Sequence, residues 1–125
     1  MVVDIANPLN ATYDGLATAP DTSSAEELAK VLPAGAKVVK AFNTIHSSNL
    51  GNPRFDGQRA SLFYCGDDAG AKDTVARLGV ELGFDPVDCG ALWMARQLEP
   101  LGYLFIHLAK VQGLGMDMAF KLLRR

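Results

Sequence analysis

Two short phrases limit what this chain can fold into more than any other feature. Residues 2–9 read VVDIANPL and residues 38–44 read VVKAFNT. Each is an apolar, β-branched run that stops at an asparagine beside a turn-former or a polar residue. Runs of this length and composition read as strands. Between them lies a helical pattern. Ser23 and Ser24 precede Glu26 and Glu27 at capping-box spacing. Ala25, Leu28, Ala29 and Leu32 then share one helix face, and Pro33 and Gly35 end it. Strand, helix, strand in that order implies an α/β sheet with two parallel strands joined by a right-handed crossover.

The rest of the chain is less regular. Residues 43–59 contain Pro53 and little helical period, so they predict a long loop with at most one short turn around His46 to Leu50. Connections of that length tend to carry function. With no helix there, strands two and three are expected to be antiparallel, which makes the sheet mixed. Residues 60–65 (ASLFYC) are the third strand. Asp67 and Asp68 can cap a helix on which Ala71, Val75, Leu78 and Leu82 share a buried face, with Gly83 as its stop. Residues 84–88 form a short fourth strand, and Pro86 places it at an edge. From Leu92 onward the pattern is helical, with Leu98, Leu101, Leu104, Phe105 and Leu108 on the apolar side. Pro100 begins a second segment or kinks the first. Gly113 and Gly115 break the pattern, and AFKLLRR predicts a short basic helix at the end. The expected fold class is therefore α/β: a mixed sheet of about four strands with C-terminal helices. Residues 1–90 supply the sheet and residues 91–125 a helical segment packed on it, as one compact unit.

Composition excludes several function classes. The 125 residues suit one domain, and the formal charge of −2 includes no basic stripe of the kind nucleic acid requires. The longest oily stretch, Leu101 to Val111, is interrupted by His107 and Lys110 and is too short to span a bilayer. The N-terminus lacks a basic region, oily core and small-residue cleavage site, so a cytoplasmic protein is expected. Cys65 and Cys89 have no metal-like spacing, which points to reduced thiols and no metal site.

The residues that can carry chemistry cluster after the strands. Asn7-Pro8 follows the first strand, where an amide can cap backbone groups or meet a ligand, although Asn-Pro is also a common turn. Asn43-Thr44-Ile45-His46 sits where the second strand runs into the long loop, a corner able to hold a flat, polar-edged ring. No sequence neighbour would make His46 part of a nucleophilic triad. Asp67-Asp68 is explained by helix capping. Gly90 permits a positive φ or close backbone approach, and Arg96 reads as an ion-pair residue. Gly113-Leu114-Gly115 follows a helix and has Met118 where a third glycine would stand, so it is not a dinucleotide fingerprint.

Taken in order, VVDIANPL, SSAEELAKVLP, VVKAFNTIHSSNL, ASLFYCGDD, GFDPVDCGAL and ARQLEPLGYL resemble the NADPH-dependent coenzyme F-420 reductases, also called F-420-dependent NADP oxidoreductases. The resemblance covers Val2 to about Leu123. It implies a partial Rossmann-like, NAD(P)-binding sheet and hydride transfer between NADP(H) and a deazaflavin, coenzyme F-420 or another flavin-like acceptor. Carried over residue by residue, it puts Asn7 and Pro8 near the nicotinamide. It puts Asn43, Thr44, Ile45 and His46 at the deazaflavin, and Gly90 and Leu92 on the loop into the C-terminal helices. No catalytic acid or base is implied, because such a protein works by holding two rings face to face. The family's Gly-rich phosphate turn does not occur in these residues, which resemble the second half of such a domain. Two further readings fit the same residues. One is a non-enzymatic association or regulatory module. The other is a start assigned inside a longer reductase frame. A bare edge on the first strand, or the apolar C-terminal helices, would favour a homo-oligomer.

Overall fold

A computed structural model describes all residues from 1 to 125. Its centre is a four-stranded mixed sheet in the order β1-β2-β5-β6. These strands are β1 (Val2–Asp4), β2 (Val38–Lys40), β5 (Ser61–Gly66) and β6 (Asp85–Asp88). β1 runs parallel to β2 with Val3 opposite Val39. β2 is antiparallel to β5, and β5 is parallel to β6. The mixed sheet expected from the missing crossover helix is therefore present, with Pro86 in the edge strand β6. A second pair, β3 (Arg54–Phe55) and β4 (Gln58–Arg59), forms a hairpin that the residue pattern did not suggest. Its turn uses Asp56 and Gly57, both at positive φ, as two-residue hairpins require.

Three helices cover the sheet. α1 (Ser24–Val31) starts at Ser23, whose Oγ accepts from Glu26 N at 3.2 Å and donates to Glu26 Oε2 at 2.7 Å. α2 (Ala69–Leu82) starts at Asp68, which accepts from Ala71 N at 2.8 Å, and ends at Gly83 in the left-handed region. Asp67 caps nothing in α2; its carboxylate accepts from Leu92 N at 2.8 Å. α3 (Ala95–Lys110) continues through Pro100 without a break. Proline there removes one helical N–H near the helix start, and the contacts described below hold α3 on the sheet on either side of it.

Side-chain alternation along β2 sorts the layers. Val38 faces a cluster with Ala25, Cys65, Leu92, Ala95 and Leu98, so α1 and the start of α3 lie on that side. Val39 and Ala41 face Leu62, Tyr64, Ala71, Val75 and Phe84, so α2 lies on the other. Leu78 and Leu82, expected in the α2 face, are exposed, because Gly79 is the residue of that turn that meets Leu62. Leu104 is likewise exposed on α3. The terminal helix expected from AFKLLRR is not formed. Residues 118–125 form neither helix nor strand and are held at the sheet by Ser61 N donating to Phe120 O at 3.0 Å, by Phe120 against Phe105 and by Lys121 on Asp85. A tether of this kind satisfies the start of β5, which a helix could not do.

Candidate functional site

Strand direction decides which corners meet. β1 and β2 end on one side of the sheet, while β5 and β6, running the other way, end on the opposite side. Asn7 and Asn43 therefore come together. Asn7 Nδ2 donates to Asn43 O at 2.9 Å, and Asn43 Nδ2 donates to Asn7 Oδ1 at 3.1 Å and to Leu98 O on α3 at 2.8 Å. Two turns thirty-six residues apart are joined by a reciprocal amide pair and pinned on a helix.

The chain reaches this geometry through a strained residue. Phe42 has φ of +61°, which a bulky side chain rarely adopts. Its ring is anchored edge-on against Phe84, with centroids 5.9 Å apart. Strain of this type is held only where the surroundings over-determine it, often at ligand sites. From α3, Gly102 makes room. A Cβ on it would lie 2.2 Å from Asn7 Oδ1 and 2.8 Å from Asn43 O.

Beside the amide pair opens a pocket of about 240 Å³. Asn7, Asn43, Ile45 and His46 line it from the strand ends, and Phe105 and Ile106 from α3. Asn43 is almost fully buried, and its Oδ1 has no hydrogen-bond partner within the chain. A buried acceptor of this kind costs free energy unless a donor meets it. Thr44, which is buried, and Pro8 do not line the pocket, although their chain neighbours Asn43, Ile45, Asn7 and Leu9 do. His46 Nδ1 is 2.8 Å from Ser48 Oγ and also accepts from Ser48 N, so the ring caps the short turn at Ser47–Asn49 while bordering the pocket.

Gly90 and Leu92 are not brought to this pocket. They follow β6 at the far end of the sheet. Gly90 has φ of +101° and its carbonyl accepts from Gly66 N; Leu92 is packed in the α1-side core. Larger openings exist elsewhere. One of about 510 Å³ is lined by Ser48, Asn52, Arg54 and Asp117, and one of about 360 Å³ lies between the hairpin and the C-terminal tail. Neither contains a buried orphan polar atom, so volume alone does not mark the site.

Under the corner lies a buried lysine that nothing in the residue pattern marks. Lys40 is fully buried, and its Nζ donates to Ala6 O at 2.6 Å and to Asp4 Oδ2 at 2.9 Å and lies 3.0 Å from Glu99 Oε1. Glu99 also accepts from Ser24 N, Ser24 Oγ and Ala25 N, which caps α1 from α3. Lysine in an apolar strand reads as an outward-facing residue, and nothing in its neighbours announces two carboxylates from distant segments. Other charges behave as ordinary surface pairs. Arg96 holds Glu26 with two contacts of 3.0 and 2.7 Å, which keeps that carboxyl below its usual range. Burial pushes the Cys65 thiol up to about 12, and both cysteines are free. No group of His, Cys, Asp and Glu side chains is arranged to hold a metal ion, and no helix is long and apolar enough to cross a membrane.

No protein-family model matches the chain. Among solved structures, one titled "putative f420 dependent nadp-reductase" from Arthrobacter superposes with a TM-score of 0.87 at 37% identity, over 98% of this chain and 56% of its own. A hypothetical protein from Sinorhizobium meliloti superposes with a TM-score of 0.66 at 35% identity, over 74% of this chain and 46% of its own. Among curated proteins, metalloreductase STEAP3 of Rattus norvegicus is 39% identical over 101 residues, which is 81% of this chain and 20% of that protein. Human metalloreductase STEAP2 is 34% identical over 79 residues, 63% of this chain and 16% of that protein. The chain thus spans a fifth or less of these metalloreductases and about half of the solved reductase. The fold is a Rossmann-like α/β sheet like that of the Arthrobacter protein, and the curated relatives are metalloreductases.

Proposed function

We propose that this chain is the acceptor-side part of an NADP(H)-linked reductase and that the pocket beside Asn7 and Asn43 receives a flat, amide-edged ring. The observation that carries this is the orphaned Asn43 Oδ1 in a residue lining that pocket. Open α/β sheets bind ligands beyond their carboxyl strand ends. Both a nicotinamide carboxamide and the pyrimidine edge of a deazaflavin present an N–H donor to such an acceptor. At about 240 Å³ the pocket is smaller than the roughly 300–1,000 Å³ of whole-ligand sites, so it suits one ring system rather than a dinucleotide. The residues present fit that ring end. A pyrophosphate would need a glycine-rich turn, and none occurs in residues 1–125.

Asn43 would accept from the ring, Ile45, Phe105 and Ile106 would cover its faces, and His46 would close the rim. When bound, the nicotinamide supplies hydride chemistry; the chain's part is to orient the acceptor ring and keep water from it. Coenzyme F-420 is the acceptor we favour, on the ordered motifs and the Arthrobacter neighbour. The same reading places the protein in the cytoplasm, with Cys65 and Cys89 as free thiols. The test is titration of the chain with NADPH and, separately, with F-420. Saturable F-420 binding, lost when Ile106→Trp fills the pocket, supports the reading. No saturable binding of either probe refutes it.

One observation favours association as a second property. β1 pairs only with β2, and Ile5 beyond it is exposed, so its outer edge is open to another strand. A homo-oligomer through that edge would fall apart in Ile5→Lys. A wild-type monomer at high concentration in light scattering would rule it out.

A further inference from the structure

We infer that Lys40 is a positioning residue for the Asn7–Asn43 amide pair, acting through a buried ionic clamp. The inference rests on the reading of the pocket above and concerns what holds its polar floor in place.

The connections run through consecutive residues. Lys40 Nζ donates to Ala6 O at 2.6 Å, and Ala6 is bonded to Asn7. Lys40 Nζ is 3.0 Å from Glu99 Oε1, and Asn43 Nδ2 donates to Leu98 O, the residue just before Glu99. One turn further on, Gly102 lies directly under Asn7 Oδ1. Lys40, itself on the strand that leads to Asn43, therefore grips two of the elements that meet at the amide pair, the end of β1 and the opening turns of α3. Asp4 completes the clamp. Its Oδ2 accepts from Lys40, and its Oδ1 accepts from Ala6 N at 2.9 Å, so Ala6 is held by Asp4 at its N–H and by Lys40 at its carbonyl.

Elsewhere on the sheet, buried strand-to-helix contact is mainly apolar and can slide, and the ion pair of Lys72 on α2 with Asp88 on β6 is partly exposed. At this corner it is ionic and directional. An ammonium has a fixed reach to three oxygens, so the distance from β1 to α3 is set by hydrogen-bond length rather than by side-chain packing. That distance sets where Asn43 places its unpaired Oδ1. The two carboxylates outnumber the ammonium. The N–H groups of Ser24 and Ala25 at the α1 start supply the remaining positive end, which ties α1 into the same clamp.

The test compares Lys40→Met with Glu99→Gln by nitrogen-15 NMR, without ligand. Glu99→Gln is the milder variant, since its amide oxygen can still accept from Ser24 and Ala25. The expected result is loss of the dispersed side-chain amide resonances of Asn7 and Asn43 in both variants. The backbone amides of Leu62, Tyr64 and Val75 on the far face should keep their shifts. F-420 affinity falls with the amide resonances. Unchanged Asn7 and Asn43 resonances in a folded variant would overturn the inference. So would shifts spread evenly over β5 and α2, or unfolding of both variants, since each would make Lys40 a stabilising residue only. A wild-type chain that binds neither NADPH nor F-420 would refute the pocket's function and leave this result standing.

Discussion

Gly102→Ala is the sharpest test of the corner, because its expected sign is opposite to the usual one. In a helix interior, alanine is favoured over glycine by about 1 kcal/mol. Here the new Cβ would sit 2.2 Å from Asn7 Oδ1, 2.8 Å from Asn43 O and 2.9 Å from Asn43 Nδ2. The Asn43 contact at 2.8 Å is backbone, so rotating a side chain does not relieve it. The amide pair must open or α3 must lift. Opening removes two hydrogen bonds worth about 1 kcal/mol each and leaves buried amide groups unpaired at about 1–3 kcal/mol more. Set against the helix gain, the net loss is about 2–4 kcal/mol. For a domain of this size that lowers Tm by roughly 8–16 °C. Urea denaturation of Gly102→Ala beside wild type measures it. Gly70→Ala on α2 is the control, where the nearest atom to the new Cβ is at 3.4 Å and no loss is expected. A Gly102→Ala protein as stable as wild type would refute the packing of the corner on α3.

Three other outcomes follow from the same geometry. Ile106→Trp should fill the pocket and abolish F-420 binding with an unchanged circular dichroism spectrum; retained affinity would move the ligand elsewhere. Glu26→Gln should cost at most about 1 kcal/mol at neutral pH, discounted because Arg96 is a third exposed. Arg96 holds the folded Glu26 carboxyl low, so its contribution is present above the unfolded value near 4.5 and is lost as pH falls through the folded value. Wild type and variant should therefore converge in acid, and a gap that widens there would contradict the ion pair. In the native protein, Cys89 should react with a thiol reagent ahead of Cys65, which is fully buried and has its thiol pushed up to about 12; fast labelling of Cys65 would show an open α1-side core.

Much of the scaffold was legible in the residues because it is local. Ser23 with Glu26, Asp68, Gly83 and the β-branched runs each act within a few positions, through caps, φ preference and side-chain period. They determined where α1, α2, β1, β2, β5 and β6 form, and the unhelical connection after Asn43 was enough to predict the antiparallel turn of the sheet. Hydrophobic period was less exact where a small residue stood nearby. Gly79 lets Leu62 approach α2, which turns Leu78 and Leu82 to solvent. The closing AFKLLRR has helical composition, but backbone groups at the start of β5 hold it as a non-helical tether.

What the tertiary structure alone decided is which side chains meet at the strand ends. Because β1 and β2 are parallel, Asn7 and Asn43 fall on one side, and because β5 and β6 run the other way, Gly90 and Leu92 go to the far end. The connections imply those directions, but no local pattern says that the two amides pair with each other on Leu98 of α3. The clamp of Lys40 with Asp4 and Glu99 was hidden for the same reason. A lysine reads as a surface residue until two carboxylates and a carbonyl, from segments that are distant in sequence, close around its ammonium and make burial tolerable.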